Sequence, residues 1–153
     1  MPAAIKRDGI RPPALFIIGP SVRHAEKLDW FGRQPLAGER LVLAATASGL
    51  ARALERAGAE VVAVPTPVSP AARIVMGAAP LTGCVLRSPA EVDWLDDERE
   101  GPGWEEGSIA WCVGKDTAER ARRRGWRKIV MLDPESAPAG IAAGIAKRRR
   151  DLP

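Results

Sequence analysis

Thiols are scarce in this sequence: Cys84 and Cys112 are the only two in 153 residues, and each lies inside an apolar run. Two isolated cysteines make neither a disulfide framework nor a zinc site. A thiol in such a setting behaves as a small buried hydrophobe, and a reducing cytosol is the expected compartment. His24 is the only histidine, far in sequence from the turns considered below, so no Ser-His-Asp triad assembles around it and no catalytic residue is assigned. No apolar run approaches the ~18 residues of a membrane span. The longest early stretch, Ala14 to Ile18, is too short for the apolar core of a secretory signal. Neither membrane insertion nor export is expected.

Interleaved aromatics are also missing where charge is concentrated. The net charge of +4 comes largely from Arg120, Arg122, Arg123, Arg124, Arg127 and Lys128 and from the run Lys147 to Arg150, with only Trp126 among them. Single-stranded nucleic acid needs stacking platforms beside its cations. The clusters therefore read as solvated helix faces and as helix C-termini, where cations complement the macrodipole, and nucleic acid is not the expected partner.

What is present suits one well-filled core: 46% hydrophobic and 27% charged residues, in a chain of ordinary domain length. From Arg40 onward, short β-branched runs alternate with helical patterns, as in βαβ units feeding a parallel sheet. Strands are predicted at Leu41–Ala45, Val61–Val64, Thr82–Arg87, Ile109–Val113 and Lys128–Leu132. Helices are predicted over Gly49–Ala57, from the Ser88–Pro89 cap through Leu95, over Asp116–Arg124 with a stop at Gly125, and over Ala137–Arg149. Ser69–Pro80 fits either a strand or a buried helical turn. Asp96–Gly107, acidic and interrupted by Gly101, Pro102 and Gly103, reads as a surface loop or lid.

Right-handed crossovers on both faces then give a single flavodoxin-like doubly wound α/β sheet of order 2-1-3-4-5. Residues 1–38 stand outside this alternation, as an N-terminal tail and linker before a lobe spanning 39–153. Pro13–Gly19 reads as one extra strand in need of a partner edge, and Val22–Phe31 as a short amphipathic helix.

Val113-Gly114-Lys115-Asp116-Thr117-Ala118-Glu119, followed by an arginine-rich helix and Gly125, resembles a strand, turn and helix of uroporphyrinogen-III synthases. Pro35-Leu36-Ala37-Gly38-Glu39-Arg40-Leu41-Val42-Leu43, Ala57 through Thr66, and Val85-Leu86-Arg87-Ser88-Pro89-Ala90-Glu91-Val92 are similar to further segments of that family, in the same order. Gly9 through Gly19 resembles the last strand of uroporphyrinogen-III C-methyltransferase, whose catalytic parts have no counterpart here. The resemblance implies a cofactor-free lyase of heme, siroheme and cobalamin biosynthesis. Such an enzyme cyclises the linear tetrapyrrole hydroxymethylbilane, with loss of water and inversion of ring D.

It also implies that Ser88, Gly114 and Thr117, with Lys115 as an electrostatic helper, hold substrate carboxylates. A glycine lets backbone approach a ligand, and helix N-termini bind anions. Ser88, Asp116 or Thr117 as plain helix caps is the competing reading.

Two departures stand against the family pattern. Ala44-Ala45-Thr46-Ala47 lacks the Thr-Arg pair that usually ends the first strand, which predicts a missing substrate-binding cation. No tyrosine occurs, although the family often places one near the cleft as proton donor. A noncatalytic tetrapyrrole-binding or assembly module is therefore the alternative. The residues also suffice for one lobe where the family uses two, so a homodimer or a partner subunit is expected to dock through the N-terminal strand and Trp104. That indole is expected to be exposed on the acidic loop, as interface anchors often are. The five tryptophans together invite the idea of a tetrapyrrole or partner surface, with Trp111 reading as core.

Overall fold

The computed structural model describes residues 19–24, 27, 29–98 and 103–151. The chain divides into two units, Met1–Trp30 and Phe31–Pro153. In the first, Pro20–His24 forms a 3-10 turn and Lys27 is helical. The expected strand Pro13–Gly19 lies, apart from Gly19, outside the described residues, as does part of the expected helix Val22–Phe31.

The second unit carries β1 (Arg40–Ala44), α1 (Ser48–Arg56), β2 (Glu60–Val64), α2 (Pro70–Gly77), β3 (Leu81–Leu86), α3 (Pro89–Asp96), β4 (Trp104–Val113), α4 (Lys115–Arg123), β5 (Lys128–Leu132) and α5 (Pro138–Arg150). All four strand pairings are parallel, in the order β2-β1-β3-β4-β5. This is the doubly wound, flavodoxin-like arrangement expected from the alternation.

Strand alternation divides the core into two layers. Leu41, Leu43, Val85, Ile109 and Trp111 project to one face, against Leu50 and Leu54 of α1 and Ile141 and Ile145 of α5. Val42, Cys84, Leu86, Ala110 and Cys112 project to the other, against Met76 of α2, Val92 and Leu95 of α3, and Ala118 and Ala121 of α4. Full burial of each large aliphatic side chain stabilises by about 1.5–3 kcal/mol, so central strands read as unbroken apolar runs. Gly83 is required where β3 meets β4, because a Cβ there would lie 2.4 Å from the Ile109 carbonyl oxygen.

Ser69–Pro80, open in the sequence, resolves as helix α2. Ser69 Oγ accepts a hydrogen bond from the Ala72 N–H at 3.2 Å, with Pro70 in the first turn. The expected loop Asp96–Gly107 requires correction, since β4 begins at Trp104 and its first four residues are strand. Trp104 pairs with Leu81 before a register irregularity, the Leu81 N–H donates to the Gly103 carbonyl at 2.7 Å, and Ser108 Oγ donates to the Leu81 carbonyl at 2.8 Å.

The Trp104 indole is therefore half-buried, edge-to-face on Trp126 with ring centroids 5.7 Å apart. That packing is the structural demand its sequence context did not reveal, and it argues against Trp104 as an exposed interface anchor. Nor do the tryptophans share one surface. Trp111 is core on the α1/α5 face, as expected, whereas Trp94, Trp104 and Trp126 pack on the other.

Candidate anion-binding site at the carboxyl rim

Leu86 and Cys112 are register partners near the ends of β3 and β4. Ser88 and Gly114 each stand two residues beyond that pair and emerge side by side at the carboxyl rim of one parallel sheet. The N-termini of α3 and α4 follow immediately. In open α/β sheets ligands bind at this rim, at the point where strand order reverses. Here the reversal lies between β1 and β3, and the adjoining β3 and β4 exits extend the same rim.

The two helix starts differ. Ser88 Oγ accepts from the Glu91 N–H at 3.3 Å, so it caps α3 and already has a backbone partner. At α4 the cap position is Gly114, with φ 84° and ψ 163° and no side-chain cap hydrogen bond. Its own N–H donates to the Leu132 carbonyl at 3.0 Å, and with no side chain capping the helix its first-turn amides are directed at the rim.

Thr117 is 2% exposed and its side chain belongs to the interior of that first turn. Lys115 is 79% exposed and lies 3.6 Å from Glu119 on the next turn. Such a pair contributes little at a surface, so Lys115 can swing toward an incoming anion. Asp116, also in this first turn, already complements the helix dipole in part.

A guanidinium from the β3 exit reaches the end of β1. Arg87 Nη2 donates to Thr46 Oγ1 at 3.0 Å, spanning the switch point from the β3 exit to the β1 exit. Glu91 fixes it there, accepting from Arg87 Nε at 2.9 Å and from the Arg87 backbone N–H at 2.7 Å, with a further contact to Nη2. Nothing local in the sequence marks Arg87, because its partner Thr46 is 41 residues away along the chain.

Cys112 supplies no nucleophile: it is buried, and desolvation pushes its thiol up to about 11, against a weaker opposing pull from Arg122. Among the described residues no group of three His, Cys, Asp or Glu could hold a metal ion. The chain matches no family model, no curated protein and no solved structure. Among the described residues no helix is long and apolar enough to cross a membrane. The geometry can do one thing chemically: orient acidic groups with amides, a fixed guanidinium and a mobile ammonium.

Proposed function

We propose that this chain is a uroporphyrinogen-III synthase-like lobe acting in tetrapyrrole biosynthesis, with a linear tetrapyrrole polycarboxylate held at the carboxyl rim. The observation that carries the reading is the uncapped start of α4 at Gly114 beside the Arg87 bridge to Thr46. Carboxylates of hydroxymethylbilane would be held by the amides following Gly114, by Lys115 and by Arg87. The protein's contribution to ring closure is then conformational, fixing the chain ends so that ring D closes inverted as water leaves. No cofactor enters this scheme.

A second reading, binding without turnover, is favoured by one specific feature: the sequence contains no tyrosine to assist departure of the hydroxyl. Freshly prepared hydroxymethylbilane, with uroporphyrin isomers resolved by chromatography after oxidation, separates the two. Isomer III above the protein-free background supports the enzyme. Isomer I alone, with saturable binding that Arg87→Ala weakens about tenfold, supports the binding lobe. No saturable binding refutes both.

A further inference from the structure

A second concavity lies at the opposite, amino rim of the sheet. It has a volume of about 390 Å³, within the ~300–1,000 Å³ of small-molecule sites. Gly107, on its wall, and Gly114, at the carboxyl rim, are about 23 Å apart along β4, so the two sites do not overlap.

Its lining is mixed: Ile129 and Val130 are half-buried, Leu81 and Ile109 lie buried beneath it, and Arg127, Lys128 and Arg149 bring cations from the α4–β5 connection, β5 and the last turn of α5. No carboxylate is among its described lining residues. The lining hydroxyls already have backbone partners: Thr82 Oγ1 accepts from the Arg40 N–H at 3.0 Å and donates to the Arg40 carbonyl, and Ser108 Oγ donates to the Leu81 carbonyl. Arg149 is held by Glu39, with Nε to Oε1 at 2.6 Å. Among the described residues, Lys128 forms no ion pair. A ligand would therefore meet a modest apolar patch at Ile129 and Val130 beside the Lys128 ammonium, with lining hydroxyls that already have partners.

We propose that this amino-rim cleft binds a small organic anion with an apolar body, such as an aryl carboxylate. The apolar body would lie against Ile129 and Val130, and the carboxylate would receive charge-assisted hydrogen bonds led by Lys128. This site is independent of the carboxyl-rim reading.

The test is titration of the isotope-labelled full chain with naphthalene-2-carboxylate, followed by amide NMR. Saturable shifts are expected at Gly107, Ile109, Lys128 and Val130. Lys128→Glu should weaken binding at least about tenfold. Gly107→Leu should block it by filling the cleft, because a Cβ there meets only Lys128 Nζ at 3.7 Å and is accommodated. Naphthalene-2-carboxamide, neutral and of the same shape, should bind far more weakly.

Equal affinity for the carboxamide, undiminished binding by Lys128→Glu, or no saturable shifts would overturn the proposal. Shifts confined to Thr46, Arg87 and Lys115 would overturn it while supporting the carboxyl-rim site. Unchanged thermal unfolding of both variants keeps loss of binding distinct from loss of fold.

Discussion

Arg40 is 5% exposed, and its guanidinium ties the end of α2 to the sheet. Nη1 donates to the Met76 and Ala79 carbonyls at 2.9 and 2.7 Å, Nη2 to the Val75 carbonyl at 2.6 Å, and Nε to Glu60 Oε1 at 2.7 Å. Two explanations of its value differ in magnitude. Were the ion pair decisive, removing either partner would cost the same; but the Glu60 side chain is 64% exposed, and exposed pairs contribute roughly 0–1 kcal/mol. The three carbonyls belong to a helix end that has no other described side-chain cap. The Val75 carbonyl also accepts from the Ala78 N–H at 3.2 Å, so losing the guanidinium strands those of Met76 and Ala79, at about 1 kcal/mol each.

Arg40→Met, which keeps the apolar stem, should therefore lose about 2 kcal/mol, and Glu60→Gln less than about 1. Urea unfolding followed by tryptophan fluorescence reads this directly. At a slope of about 2 kcal/mol per molar, the midpoint of Arg40→Met falls by roughly 1 M. Equal small losses for the two variants would refute the capping role and reduce Arg40 to a surface ion pair.

Gly114→Ala isolates backbone strain at the carboxyl rim. The added methyl would meet only Pro134 at 3.6 Å, so the backbone conformation alone predicts a loss of about 1–3 kcal/mol; unchanged stability in denaturant would contradict it. Asp93 accepts from Arg120 and Arg124, joining α3 to α4. These hydrogen bonds, foremost that from Arg120, hold its carboxyl below the usual range despite some desolvation. Its stabilisation is thus fully present above the unfolded carboxylate pKa of about 3.9 and disappears as pH falls through the lower folded value. Asp93→Asn should lower the urea midpoint at pH 6 and converge on the parent near pH 2; parallel curves across that range would contradict the linkage.

The sheet order was legible because burial on both faces gives the central strands unbroken apolar runs, and five short β-branched or apolar runs alternate with helical patterns. Where reading stopped short, the deciding contact was remote in sequence. Ser69–Pro70 carries the same cap signal as Ser88–Pro89, yet Ile74 and Val75 obscured a helix whose end Arg40 secures from another strand. Trp104–Gly107 looks like loop by composition, and becomes strand because Leu81 and Trp126 supply ladder and packing.

The rim glycine was legible locally, since a strand-glycine-helix pattern states its own backbone need. Arg87 was not, because its meaning depends on Thr46 lying across the switch point, which only parallel β1–β3 pairing brings about. The amino-rim cleft was still further from view: its cations belong to two clusters that the sequence presents as solvated helix ends. The fold turns Arg127, Lys128 and Arg149 toward one concavity. Local propensity thus carries the scaffold, whereas each charged group's role is set by the crossover that decides what it faces.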